Sequence, residues 1–243
     1  MNKEEASRVL MSRGWFGDQP EWFREMVLAR SVLLRIGEHQ NVYRAEDEPG
    51  GIYGLVSGSL GQFLAAPDTG LTLAHIIHPG DWFGFGPLFS QSARSVSFRS
   101  LEPALALYVS LPALNEIRSR DAMASHCLGA LATACLASCA QIVAGLLIRR
   151  SDQRIAATLL RAAGDGSRGT GTPAMIRVSQ ACLGEMANAS RHLVNRTLQS
   201  FERHGWIASG YNRIEVTDSV ALASFAASGV APARAARPER TAC

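Results

Sequence analysis

The chain has 243 residues, 47% of them apolar and 19% charged, with a net charge of +3. That composition excludes wholesale disorder and supplies a core for one large domain or two ordinary ones. The charge is unevenly placed: residues 151–243 hold 11 Arg and 7 acids, a balance of +4, whereas residues 1–150 hold 13 basic and 14 acidic residues. A basic C-terminal part points to an anionic partner such as nucleic acid.

The opening stretch "MNKEEASRVLMSRGWFGDQ" has acidic residues early and no apolar segment of the signal-peptide kind. A cytoplasmic location is therefore expected, with Cys127, Cys135, Cys139, Cys182 and Cys243 as reduced thiols. Residues 1–30 predict short helices, "PEWFREMVLAR" being the clearest. From about Ser31 to Val109 the texture changes. Alternating segments such as "LTLAHII" and "SVSFRSL" are punctuated by "EPGG", "SGSLG", "APDTG" and "HPGD". Short strands with regular Gly/Pro turns predict an antiparallel β sandwich or roll.

Pro112 suits the first turn of a helix, and no further Pro occurs up to Ile148. One long helix from Ala113 to Ile148 is the simplest expectation. Within it Leu128, Leu131, Cys135, Ser138, Ile142 and Gly145 recur at 3–4 spacing, which predicts a seam for a partner helix. The alternative is a face packed on the helix's own domain. The apolar run Cys127 to Ile148 approaches membrane-spanning length, but its small residues with Ser, Thr and Gln read against a membrane span.

"RRSDQRIAATLLRAAG" predicts a break and a new helix, capped by Ser151 or Asp152 and ended by Gly164. "GDGSRGTGTP" predicts a flexible loop. Two helical runs around a tight turn follow, then "WIASGYNRIEVTD", a small hairpin. The Ala/Pro/Arg-rich tail from about Ser224 reads as disordered.

The paired runs carry the main functional signal. The first starts after Ser179, an N-cap; Leu183, Met186 and Ala187 face a core, and Gly184 lets a second helix cross closely. Asn188 suits a left-handed turn residue and Ser190 caps the second helix. Val194, Leu198 and Phe201 form its inner face, leaving Arg191, His192, Asn195, Arg196 and Gln199 outside. In a helix-turn-helix the leading end of the second helix enters the major groove, where Arg donates two bonds to guanine. Cations at a helix start oppose the helix dipole, so a purely structural origin is disfavoured. Ser190 and the free N–H groups of the first turn suit a phosphate, and Arg213 in the hairpin adds a backbone contact.

Four stretches together resemble the Crp/Fnr family of bacterial transcription regulators: "GLVSGSLG" (Gly54–Gly61), "HPGDWFGFGPLF" (His78–Phe89), "SDQRIAATLLRAAG" (Ser151–Gly164) and the helix-turn-helix. The resemblance covers roughly residues 30–220. It implies an α+β chain: a β-roll sensor domain with N-terminal helices over 1–110, a dimerisation helix over 111–150, a winged helix-turn-helix over 151–223 and a disordered tail over 224–243. It further implies a homodimer on an inverted-repeat DNA site and contact with RNA polymerase. Ser190, Arg191 and Arg196 match the family's recognition pattern; His192 stands where Glu is frequent.

The family's phosphate-binding cassette runs Gly-Glu-x-(Gly/Ala)-Leu and then Arg-Ser. Here it runs Gly84, Phe85, Gly86, Pro87, Leu88, then Arg94 and Ser95. Phe85 cannot accept the ribose hydroxyl bond that Glu accepts, and Pro87 removes a donor. Cys139 and Ala140 align with hydroxyl residues that meet the purine in relatives binding cyclic AMP. Cyclic nucleotide is thus disfavoured as effector, with Arg94 more simply a surface residue on a strand; another small ligand, apolar or anionic, and no effector at all both stay open. No other cofactor is assigned. No cysteine precedes residue 127, which reads against the family's N-terminal iron–sulfur cluster. Cys135 and Cys139 read as helix packing and His75 and His78 as structural residues, so no metal is assigned. "GLVSGSLG" sits in a strand–turn–strand context, not that of a hydrolase nucleophile, and no catalytic set stands out. The rival to a regulator is a ligand-binding or protein-interaction module that does not read DNA.

Overall fold

The computed structural model describes residues 1–66, 70–164 and 173–228. The chain divides into two compact units, Met1–Ala144 and Gly145–Cys243. The segment expected as a separate dimerisation helix thus belongs mostly to the first.

The first unit opens with helices α1 (Lys3–Met11), α2 (Gly14–Gly17) and α3 (Glu21–Ala29). A capping box starts α1: Asn2 Oδ1 accepts from the Glu5 N–H at 2.8 Å and Glu5 Oε2 from the Asn2 N–H at 3.0 Å. Eight strands follow, β1 (Val32–Ile36), β2 (Asn41–Tyr43), β3 (Ile52–Ser57), β4 (Leu60–Ala66), β5 (Gly70–Ile77), β6 (Trp82–Phe83), β7 (Ser97–Ser100) and β8 (Ala104–Val109), with helix α4 (Gly86–Ser90) between β6 and β7. They form two antiparallel four-stranded sheets, ordered β1-β8-β3-β6 and β2-β7-β4-β5. This is the expected roll. Its inner core holds Leu55, Leu60, Ile77, Phe83, Phe98 and Ala106. A second core, with Phe16, Phe23, Trp82, Leu107, Leu114 and Leu128, joins α1–α3 to the first sheet and the helices that follow. There Trp15 Nε1 donates to the Cys127 carbonyl at 2.7 Å.

The single long helix does not form. Instead α5 (Leu111–Arg120) and α6 (Ala122–Leu146) meet at Asp121, whose backbone is extended. Asp121 Oδ1 accepts from the Met123 N–H at 2.8 Å, so a capping carboxylate restarts the helix. The bend lets Leu114 and Ile117 of α5 share one core with Ala124, Leu128 and Leu131 of α6.

The expected partner seam is corrected at its start. Leu128 and Leu131 are buried in the unit's own core, and the half-buried Cys135 thiol lies 3.8 Å from the Trp82 carbonyl. The other side of α6 is bare: Leu136 is 70% exposed and Val143 56% exposed, with Cys139 and Ala140 exposed between them. By length and composition α6 is sufficient to cross a membrane, and Ala124, Cys127, Leu128 and Leu131 in its first half are buried in the unit's own core.

The second unit contains α7 (Ser151–Ala163), β9 (Ala174–Ile176), α8 (Gln180–Ala187), α9 (Arg191–His204), β10 (Ile207–Gly210), β11 (Arg213–Val216) and α10 (Ser219–Ser228). Arg150, not Ser151 or Asp152, takes the N-cap position of α7, and Gly164 (φ 74°) ends the helix as expected. Strands β10, β11 and β9 form one antiparallel sheet, a strand more than the expected hairpin. The expected flexible loop lies largely at 165–172, outside the described residues. The expected disorder from Ser224 is corrected as far as Ser228, because Phe225 is buried against Phe201 and Trp206. The rest of that tail lies outside the described residues.

Candidate nucleic-acid interface

Local chemistry builds α8 and α9. Ser179 Oγ accepts from the Cys182 N–H at 3.1 Å and Ser190 Oγ from the Leu193 N–H at 3.4 Å, capping each start. Asn188 ends α8 in the left-handed region (φ 46°), and the Ala189 N–H bonds back to the Gly184 carbonyl at 2.9 Å. Gly184 is buried where the chain doubles back: a Cβ there would sit 2.8 Å from the Ala189 carbonyl oxygen. Leu183, Met186 and Ala187 of α8 and Val194, Thr197, Leu198 and Phe201 of α9 are buried. Gly205 (φ 75°) closes α9, with the Trp206 N–H on the Phe201 carbonyl at 3.0 Å.

Arg191, His192, Asn195, Arg196 and Gln199 are exposed on one side of α9. Asn195 Oδ1 accepts from Gln199 Nε2 at 2.9 Å, and its Nδ2 donates to Gln180 Oε1 at 3.3 Å. The Arg191 and Arg196 guanidiniums find no hydrogen bond or ion pair among the described residues, and the first turn of α9 holds no acid. Both cations face solvent, and Arg191, in the first turn, sits where the helix dipole opposes it. Arg213 begins β11, exposed, beside the tight turn at Tyr211–Asn212. Tyr211 at that tip is 93% exposed. It carries no charge or motif, so only its place in the turn marks it.

Arg154 was not singled out by sequence reasoning. From α7 its Nε donates to the Ala187 carbonyl at 2.6 Å and its Nη2 to the Asn188 carbonyl at 2.9 Å, while Nη1 meets the Ile148 carbonyl at 2.7 Å. One planar fork thus holds the turn between α8 and α9. Its only sequence signal was its place in "SDQRIAATLLRAAG".

In the first unit the cassette residues are only partly brought together. Arg94 lies in a loop and is 3% exposed, correcting the expectation of a surface strand residue. Its Nη1 donates to the Gly84 carbonyl at 2.6 Å and its Nη2 to the Gly51 carbonyl at 2.9 Å. Its guanidinium lies 4.0 Å from the Tyr43 ring centroid, and its N–H donates to the Asp47 carbonyl at 2.9 Å. Burial pushes the Tyr43 phenol well above its ordinary pKa, despite the Arg94 cation. Phe85 packs half-buried beside the Trp82 core, Gly86 and Ser95 are exposed, and Cys139 is exposed on α6.

The sequence matches the Crp-like helix-turn-helix domain over residues 153–225 and the cyclic nucleotide-binding domain over residues 33–121. It is 29% identical over 209 residues to the HTH-type transcriptional regulator Cmr of Mycobacterium tuberculosis, covering 82% of this chain and 79% of that protein. It is 30% identical over 185 residues to the CRP-like cAMP-activated global transcriptional regulator of the same species, covering 74% of this chain and 81% of the relative. Among solved structures, FixK2 of Bradyrhizobium japonicum superposes with a TM-score of 0.66 at 18% identity, covering 80% of this chain and 96% of that one.

Proposed function

This chain belongs to the Crp/Fnr family of transcription regulators, and on that premise we propose that it binds an inverted-repeat DNA site as a homodimer, without needing cyclic AMP. The observation that carries the reading is the pair of exposed cations in the first two turns of α9, Arg191 and Arg196, which meet no partner among the described residues. Ser190 and the first-turn N–H groups take a phosphate; Arg191 and Arg196 read guanine; Asn195 and Gln199 contact base edges or phosphates nearby. His192, in place of an acid, offers an N–H to a guanine or a phosphate. Arg213 contacts the backbone.

A dimer gives the two recognition helices half-sites about one helical turn apart. The bare stripe of α6, from Leu136 to Val143, supports the dimer, because an apolar helix face in water needs a cover. Cytoplasmic placement and contact with RNA polymerase follow from the same family reading.

Independence from cyclic AMP is supported by Arg94. A cyclic phosphate draws on that guanidinium, yet two of its N–H groups already bond backbone carbonyls and its face lies on the Tyr43 ring. Phe85 offers no acceptor and Pro87 no donor. These residues do not fit a cyclic nucleotide.

The test is selection of random duplex DNA by the purified chain without ligand. Recovery of an inverted repeat is expected. Recovery of single half-sites argues against the dimer. Recovery of a motif only when cyclic AMP is added argues against effector independence, and recovery of none with or without it argues against DNA reading.

A further inference from the structure

The second unit contains an open groove of about 560 Å³ between the start of α7, the outer turns of α9 and the end of α10. Its lining is mixed: Leu193 and the ring edges of Phe201 and Phe225, which lie 5.4 Å apart, form an apolar strip among Ser151, Thr197 and Ser200. Its rim holds Arg150, Arg196 and Arg203 and the carboxylate of Asp152, with the half-buried Ser200 between. Arg150 is already neutralised: its Nη2 lies 2.7 Å from Asp152 Oδ2, and its guanidinium lies 5.9 Å from the Phe225 ring. Arg196 and Arg203 meet no carboxylate among the described residues; Arg203 donates only to the Gln199 carbonyl, at 3.3 Å. The groove therefore presents two cations that meet no carboxylate among the described residues, beside a short apolar strip, at a size typical of small-molecule sites.

We propose that this groove binds a small organic anion with an aromatic or aliphatic body: its carboxylate or sulfonate between Arg196 and Arg203, its apolar part on Phe201 and Phe225. The cationic rim disfavours a basic peptide, and an inorganic anion leaves the apolar strip uncovered. Arg196 belongs to both the groove and the DNA-facing set. An anion held there withdraws a base-reading guanidinium, so ligand and DNA oppose one another. This regulatory consequence rests on the reading of α9 given above; the binding itself does not.

The probe is 2-naphthoate, titrated calorimetrically into the full chain, with 2-naphthol and inorganic phosphate as controls. Saturable binding of naphthoate at one per chain is expected, with neither control binding comparably. Arg203→Glu should weaken binding roughly 10-fold or more by reversing one rim charge. Ser200→Trp should abolish it by filling the groove, and the circular dichroism of each variant reports whether it is folded. No saturable heat, equal binding of phosphate or naphthol, or undiminished binding by folded Arg203→Glu and Ser200→Trp would overturn the site. In a separate mobility assay, naphthoate should weaken DNA binding by wild type and not by Arg203→Glu. Unchanged DNA affinity at saturating naphthoate would overturn the opposition. A chain that holds naphthoate but selects no DNA sequence at all would retain the site and refute the regulator reading alone.

Discussion

Arg154 on α7 donates its Nε–H to the carbonyl of Ala187, at the end of α8, across 2.6 Å. The next carbonyl, Asn188, accepts from the same guanidinium at 2.9 Å. A single side chain thus ties the first helix of the second unit to the turn that aims α9. Arg154→Met should leave these carbonyls without their charged donor, at a cost of roughly 2–4 kcal/mol. Arg154→Lys should restore little, because a point charge cannot match the fork. DNA affinity should fall in both although neither touches a base; thermal denaturation beside a mobility assay reads the two effects together.

Arg191 and Arg196 bond nothing within the described chain, so their removal should spare the fold. Arg191→Ala and Arg196→Ala should each lose about 1–3 kcal/mol of base discrimination. Competition between the selected site and a mismatched site measures it. Arg213→Ala should weaken all sequences alike and flatten the salt dependence by about one counterion. A variant of Arg191 or Arg196 with full discrimination would refute the assignment of α9.

Leu136 and Val143 lie two turns apart on the uncovered face of α6. Leu136→Glu or Val143→Glu should convert the proposed dimer into monomer without loss of helix, as read by sedimentation and circular dichroism. Charging Leu128 instead should unfold the first unit, because that residue is buried in its core. A wild-type chain that sediments as a monomer at all concentrations would refute the dimer.

The cassette arginine should behave as a structural residue. Arg94→Met strands the Gly84 and Gly51 carbonyls, at roughly 3 kcal/mol. A unit of this size should then melt about 6–12 °C lower. Calorimetry with cyclic AMP and cyclic GMP should show no binding to wild type. A Tm unaltered by Arg94→Met, or a clear cyclic AMP isotherm, would contradict the assignment.

Glu116 on α5 accepts from Arg30 at 2.9 Å and from Arg120 at 2.6 Å. The Arg30 bond, then the Arg120 bond, hold its carboxyl down from 4.5 to about 2. A depressed carboxylate stabilises the fold fully above the ordinary carboxylate range, and that contribution fades as pH falls towards about 2. Glu116→Gln should therefore lower Tm at neutral pH slightly, and the difference from wild type should shrink in acid. A gap that widens in acid would contradict this sign.

The second unit was largely legible in the sequence because its signals are local. Ser179 and Ser190 cap helices three residues away, Asn188 and Gly184 make a tight turn within six residues, and the period of Val194, Leu198 and Phe201 leaves Arg191 and Arg196 outside. Caps and turns are settled within a few residues of themselves, so composition and spacing carry them. Tertiary structure decided the rest. Which face of α6 is bare depends on Trp15 and Trp82, which lie far away along the chain yet meet Cys127 and Cys135. Whether Arg94 faces solvent depends on Gly51 and Gly84, and whether α7 steers the helix-turn-helix depends on carbonyls more than thirty residues past Arg154. A side chain's period shows that it has a face; only the elements brought against that face decide what it meets.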